Sequence, residues 1–180
     1  YRQHILDTYF STRLGIAIIG ILFPLILWLI GLLFDIKLQG SISAYYHTPM
    51  QNVFVGILFA IGASLYLYKG YSTEEDLVLD GAGILAVCIA LLPTSCPAKL
   101  ECDTFTAPLW HGVSAILFFI SIAYICIFKS SDTLKTNNNL INEQQTNYLN
   151  EQQRRHYKLI YSILGIGMVA FPLFSAFWLY

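Results

Sequence analysis

Hydroxyl, phenol and imidazole groups are concentrated in one short stretch of this chain, residues 41–51 (SISAYYHTPMQ), between two long hydrophobic runs. Groups of this kind bind the oxygens of an anion, as do the free backbone amides at the start of a helix. The sequence therefore predicts a pocket for a lipid headgroup or another small anion. Its candidate residues are Ser43, Tyr45, Tyr46, His47 and His111. The alternative interpretation is architectural, because polar residues at a membrane interface serve as anchors and helix caps without any ligand.

The same residues suggest a second chemistry, a metal-dependent lipid hydrolase. His47, His111 and a carboxylate such as Asp103 could supply three ligands to zinc and leave a fourth position for water. No ligand pair lies at a diagnostic short spacing such as HxxxH or CxxC, which argues against it. Ser43 and His47 are four residues apart, but the glycine-containing elbow of a serine nucleophile is missing. We expect no cofactor, and the sequence does not favour an enzyme.

The composition defines the kind of elements that must position these residues. Of 180 residues, 56% are hydrophobic and 12% are charged, and the mean hydropathy is +0.59. A soluble domain of this size cannot bury so much apolar surface, so lipid is the predicted solvent. A net charge of −1 without a long basic run excludes the usual nucleic-acid-binding protein. We therefore predict an integral protein of the bacterial inner (plasma) membrane whose partners are lipids.

Five hydrophobic runs predict an all-α fold, a single transmembrane domain over residues 14–180 with five membrane-spanning helices. The predicted spans are about 14–34, 49–68, 77–92, 109–128 and 157–180. Residues 1–13 would form a cytoplasmic segment or an interfacial helix, and 129–156, rich in Asn and Gln, a flexible polar loop. Thr48 to Gln51 and Ser72 with Glu75 are predicted capping boxes of the second and third helices. Asp80, a carboxylate inside a span, is a functional candidate or a snorkelling residue.

Small residues recur every four positions on the second and third helices and predict close packing with another helix. They are Gly56, Ala60 and Ser64, and Ala82, Ala86 and Ala90. A further alternative function follows from these stripes, that of an accessory subunit docked to a larger membrane complex or to further copies of itself.

The basic residues predict the orientation of the chain. Eight lysines and arginines fall on segments that would share one side of the membrane, against Lys37 and Lys99 on the other. By the positive-inside rule the N-terminus is cytoplasmic and the C-terminus lies outside. This topology places Cys96 and Cys102 on the outer face, where a disulfide between them can persist. Two free thiols are the alternative.

Four segments resemble a family of uncharacterised small multi-pass membrane proteins of bacteria and archaea, which is distantly similar to the DRAM/Sfk-like membrane proteins of eukaryotes. The segments are SISAYYHTPMQNVFVG, YKGYSTEED, LLPT and HGVSAILFF. The likeness covers about residues 14–128 and implies a bundle of five or six helices without an established activity. The matching positions are Ser41, Ser43, Tyr45, Tyr46, Thr48, Lys69, Gly70, Tyr71, Pro93 and His111.

A second set of residues is similar to a fragment of the ceramidase and progestin-receptor superfamily of seven-helix metal hydrolases. It consists of Ser43-x-x-x-His47 with Asp80 and His111. The resemblance would imply a metal-dependent hydrolase. The chain departs from that pattern, since Ala115 stands where a second histidine would follow His111. The predicted topology also places Asp80 on the opposite side of the membrane.

Overall fold

The computed structural model describes residues 2–70, 72–96, 106–129 and 151–178. Within these ranges the chain is all-helical, as the sequence predicts, and contains no β-strand. Its helices are α1 (Arg2–Leu33), α2 (Gln51–Leu67), α3 (Thr73–Leu91), α4 (Pro108–Tyr124) and α5 (Glu151–Trp178). A 3₁₀ helix (Ser43–His47) precedes α2, and a π-helix (Ile125–Lys129) continues α4. Most of the predicted loop 129–156 lies outside the described residues, and its final part is the start of α5.

Among the described residues, one helix has the length and hydropathy needed to cross a membrane. It comprises α4 with its π-helical continuation, Pro108–Lys129, which has 22 residues and a mean hydropathy of 2.1. Three other apolar helical segments of the described chain are shorter, namely Ile18–Leu33, Gln51–Leu67 and Lys158–Ala170. At 1.5 Å per residue a segment of 17 residues rises about 25 Å, less than the roughly 30 Å of a hydrocarbon core. Five spans and their orientation therefore stay a prediction.

Local hydrogen bonds move two helix starts away from the predicted positions. The Thr48 hydroxyl donates to the Tyr45 carbonyl at 2.7 Å and accepts the Met50 amide at 3.2 Å. Thr48 thus closes the 3₁₀ helix, and α2 begins at Gln51 rather than at Pro49. The predicted capping box at Thr48 is wrong in this respect. α3 begins at Thr73 instead of 77 because the Ser72 hydroxyl accepts the Glu75 amide at 3.2 Å, as expected of a cap.

α1 is one continuous helix that runs through Pro24, so the predicted segment 1–13 is joined to the first apolar run from residue 2 onward. It ends in a Schellman motif. The Ile36 amide donates to the Gly31 carbonyl at 2.9 Å, and the Asp35 amide donates to the Leu32 carbonyl at 3.3 Å. Asp35 has φ 54°, in the left-handed region that this motif requires and that glycine usually occupies.

The chain divides into two compact units. The first comprises Tyr1–Tyr68 and Gly83–Ala115, and the second Lys69–Ala82 and Ile116–Tyr180. In the first unit α2 and α3 cross at two glycines: a methyl group on Gly62 would lie 2.8 Å from the Gly83 carbonyl oxygen, and one on Gly83 would lie 2.6 Å from the Gly62 carbonyl oxygen. The two backbones are therefore almost in contact, which only a missing side chain permits.

The two predicted small-residue stripes differ in burial. On α3, Ala82, Ala86 and Ala90 are all buried. On α2, Gly56 is exposed and has no neighbouring atom within 4 Å of the position that a Cβ would take. Gly62 rather than Gly56 meets α3, so the predicted stripe on α2 is not the face used at this crossing.

In the second unit the π-helix is fixed on two sides. At its end the Lys129 ammonium lies 2.7 Å from the Glu74 carboxylate in the first turn of α3. On α5, a methyl group on Gly165 would lie 2.7 Å from the Ile127 Cγ1 atom and 3.2 Å from the Ala123 carbonyl oxygen. Glycine therefore lets the backbone of α5 approach the end of α4 closely.

Candidate functional site

His111, in the first turn of α4, is the centre of the polar cluster in the first unit. The residue is 5% exposed, and its ring has Nδ1 2.6 Å from the Leu92 carbonyl oxygen and Nε2 3.0 Å from the Ser43 hydroxyl. A carbonyl only accepts hydrogen bonds, so Nδ1 carries a proton. In the neutral ring Nε2 then has a lone pair and accepts the Ser43 O–H. The bonds form a directed chain from Ser43 through His111 to the Leu92 carbonyl.

His47 fastens the 3₁₀ helix to the same segment that follows α3. Its Nε2 atom donates to the Thr94 carbonyl at 3.0 Å. Its ring meets the Tyr46 ring edge to face, with centroids 5.4 Å apart, and Tyr46 in turn packs edge to face on Phe54 at 6.3 Å. Both histidine rings thus hold the 3₁₀ helix in a fixed position against the backbone of residues 92–94.

The Tyr45 hydroxyl differs from these groups because it has no hydrogen-bond partner in the described part of the chain. Tyr45 is 4% exposed, and its ring lies against the end of α1, with Cε1 3.5 Å from the position of a Cβ on Gly31. A buried hydroxyl left unpaired costs about 1–3 kcal/mol. Of the polar groups in this cluster, the Tyr45 hydroxyl would therefore be stabilised most by a hydrogen bond to a ligand.

The structure places the predicted side chains of this cluster close together and adds backbone groups between them. Ser43 and His111 are in direct contact, and Tyr45, Tyr46 and His47 stand on the same 3₁₀ helix. The missed participants are the Leu92 and Thr94 carbonyls, which every residue type provides equally. Pro93 lies between these two carbonyls, and its own carbonyl accepts the Ala107 amide at 3.0 Å and so brings the start of α4 beside them.

The metal hypothesis needs ligands that the described residues do not bring together. No group of three His, Cys, Asp or Glu side chains suited to a metal ion occurs in residues 2–70, 72–96, 106–129 or 151–178. Asp103 lies outside these ranges, so the predicted set of His47, His111 and Asp103 stays untested. Both ring nitrogens of His111 are already bonded to protein atoms, and a metal would have to replace one of these bonds.

The remaining predicted residues are the carboxylate Asp80 on α3 and the cysteine pair. Asp80, in the second unit, has a buried Oδ1 atom without a hydrogen-bond partner among the described residues. Cys88 and Cys126 are free thiols. Cys96 is not among the free thiols, whereas Cys102 lies outside the described ranges. The Cys96–Cys102 bond therefore stays a prediction.

Comparisons of the chain with protein-family models, with curated proteins and with solved structures give no match. The resemblances to DRAM/Sfk-like proteins and to the ceramidase and progestin-receptor superfamily consequently stay predictions.

Proposed function

We propose that this chain is an integral membrane protein with five transmembrane helices, the N-terminus in the cytoplasm and the C-terminus outside. The length and hydropathy of Pro108–Lys129 support one span. Exposed apolar side chains support further ones, because α1 and α5 also present large hydrophobic residues to their surroundings. Examples are Ile21, Leu25, Leu29, Leu32, Leu159, Ile163 and Ile166. Such a surface costs about 25 cal/mol per Å² in water and nothing comparable in lipid.

We further propose that the 3₁₀ helix binds an oxygen-rich anionic group, either the headgroup of a membrane lipid or a small free anion. The observation that carries this proposal is the buried, unpartnered hydroxyl of Tyr45. A phosphate or carboxylate oxygen accepting its hydrogen bond would remove the penalty of about 1–3 kcal/mol that the hydroxyl otherwise imposes. The bonds of His47 to Thr94 and of His111 to Ser43 hold the backbone of the 3₁₀ helix, which carries Tyr45, in a defined position.

The test uses the full chain in mild detergent and two named probes, inorganic phosphate and dihexanoyl-phosphatidylglycerol, titrated by calorimetry. Hydrogen bonds to charged groups contribute about 1.5–3 kcal/mol, so Tyr45→Phe should weaken binding roughly 10- to 100-fold. Tyr124→Phe removes a hydroxyl from an exposed ring at the end of α4, outside the candidate pocket, and is the control. Binding of the lipid alone identifies a headgroup, and binding of both identifies a general anion site.

Two results would contradict the proposed site. One is that the wild type binds neither probe. The other is that Tyr45→Phe binds as tightly as the wild type. The topology has its own test: a membrane-impermeant maleimide should label Gln39→Cys in intact cells, and Thr73→Cys only after the cells are permeabilised. The reverse pattern would invert the proposed orientation.

A further inference from the structure

We propose that Ser43 is a nucleophile activated by His111 and that it cleaves carboxylic esters of membrane lipids. The choice of a lipid as substrate rests on the proposed function, whereas the chemistry of the Ser43–His111 pair stands on its own geometry. No metal takes part in this reaction.

The first support is the distance and order of three groups. A serine nucleophile needs a base within about 2.6–3.2 Å and a third group that orients the base. The Ser43 hydroxyl is 3.0 Å from His111 Nε2, and the Leu92 carbonyl is 2.6 Å from Nδ1. The carbonyl takes the place that a carboxylate occupies in a catalytic triad, since it keeps the proton on Nδ1 and leaves the Nε2 lone pair for the serine. The tautomer needed for catalysis is therefore built into the fold.

The second support is the burial of the two partners. His111 is buried, whereas Ser43 is partly exposed. Solvent is therefore kept from the imidazole, while the residue that carries the hydroxyl lies at the edge of the buried region. A serine whose hydroxyl served only to hold two helices together would gain more from being fully buried with its partner, because burial strengthens the bond.

The third support is the rigidity of the attachment. The His111 amide donates to the Ala107 carbonyl at 2.9 Å, and the Ala107 amide donates to the Pro93 carbonyl at 3.0 Å. The helix that carries the base is thus tied to the residue that follows the orienting carbonyl of Leu92. A separate bond from His47 to Thr94 holds the 3₁₀ helix that begins with Ser43. Nucleophile, base and orienting group are all fixed to one segment, which is the preorganisation that catalysis requires.

The proposed reaction is the hydrolysis of an ester through an acyl-serine intermediate. Ser43 Oγ attacks the ester carbonyl carbon, an O–C bond forms, and the hydroxyl proton moves to Nε2 of His111. The bond from that carbon to the alcohol oxygen breaks, and Nε2 returns its proton to the departing alcohol. A water molecule then gives a proton to the same nitrogen and attacks the acyl carbon, the bond from that carbon to Ser43 Oγ breaks, and Nε2 returns the proton to Oγ as the carboxylic acid leaves. Ester and water are converted to alcohol and acid, with Ser43 and His111 restored.

The experiment measures covalent labelling of the full-length protein in mild detergent by diisopropyl fluorophosphate, with the labelled peptide identified by mass spectrometry. We expect the label on Ser43 in the wild type and in Ser121→Ala, a control hydroxyl on α4. Ser43→Ala should not be labelled at this position. His111→Gln should react roughly 100-fold more slowly, the usual contribution of a general base. Equal rates in the wild type and His111→Gln, or no label on Ser43 of the wild type, would overturn the proposal.

A second readout separates catalysis from folding, since His111→Gln removes a buried side chain. The labelling rate of the wild type should rise with pH and then level off as His111 loses its proton. A serine activated only by hydroxide would show no plateau, and that result would also refute the mechanism. Tyr45→Phe distinguishes the two proposals. If Tyr45→Phe loses anion binding but is labelled as fast as the wild type, both proposals are supported. If the wild type binds the anion but is not labelled, the proposal that Ser43 is a nucleophile is refuted and the anion site is not.

Discussion

The crossing of α2 and α3 predicts that Gly62→Ala and Gly83→Ala destabilise the protein. A Cβ on Gly62 would lie 2.8 Å from the Gly83 carbonyl oxygen and 3.0 Å from the Val87 Cγ2 atom. A Cβ on Gly83 would lie 2.6 Å from the Gly62 carbonyl oxygen and 3.0 Å from the Tyr66 amide nitrogen. The obstacles at Gly83 are backbone atoms, which cannot rotate away as a side chain can. The two helices must therefore move apart to admit either methyl group.

The size of the effect is the balance of two terms. Alanine replaces glycine in a helix interior with a gain of about 1 kcal/mol, while inserting a methyl group into a packed contact costs about 1–3 kcal/mol. Gly56→Ala on α2 and Gly81→Ala on α3 carry the first term alone, because neither site has an atom within 4 Å of the new Cβ. The difference between each substitution at the crossing and its control should therefore be about 1–3 kcal/mol.

The measurement is the free energy of unfolding of each variant in mild detergent, obtained by titration with sodium dodecyl sulfate and followed by circular dichroism. The comparison of Gly62→Ala with Gly56→Ala cancels the helix propensity of alanine. A difference smaller than about 0.5 kcal/mol, the range typical of surface substitutions, would refute the close approach of the two backbones.

Two further predictions concern helix ends. The hydrogen bond and the charge of Lys129 lower the pKa of Glu74 from its ordinary value of 4.5. The pair therefore stabilises the fold above that value and stops doing so as the pH falls through the lower pKa of the folded state, so the unfolding midpoint of the wild type should fall towards that of Glu74→Gln. The effect should be small and shrink in high salt because Glu74 is 75% exposed. Asp35→Gly should raise the unfolding free energy by about 0.5–1 kcal/mol, whereas Asp35→Ala should not, since the site has φ 54°.

Features that depend on neighbouring residues in the chain could be predicted from the sequence. Features that depend on competition between hydrogen-bond partners, or on backbone groups far away in the chain, could not. The all-helical fold follows from long apolar runs, and the cap at Ser72 was correctly identified because serine and the amide three residues later meet within one turn. At Thr48 the same pattern failed. There the Tyr45 carbonyl takes the hydroxyl as a donor, and a 3₁₀ helix occupies the place where the helix was expected to begin.

The site shows the same division. The polar composition of residues 41–51 indicated the candidate site, and His111 was included because it lies at the start of an apolar run. The bond between Ser43 and His111 joins residues that are 68 positions apart, and its orienting partner is a carbonyl that leaves no trace in the sequence. The spacing of Ser43 and His47 in the sequence gives no hint of this contact, because the serine bonds to His111 on another helix.

The π-helix at the end of α4 has a consequence for insertions and deletions in this chain. Each π turn holds about one residue more than an α turn, and π-helices commonly interrupt α-helices as single turns of this kind. One residue corresponds to about 100° of rotation around a helix axis. Five residues wound as a π-helix turn about as far as four wound as an α-helix, so deleting one residue within Ile125–Lys129 should leave Lys129 facing Glu74 and keep the ion pair at 2.7 Å. Rewinding all five residues as an α-helix would instead turn Lys129 by about 100° and break the pair. The winding of this segment, more than the identity of its apolar residues, is what keeps that charge in place.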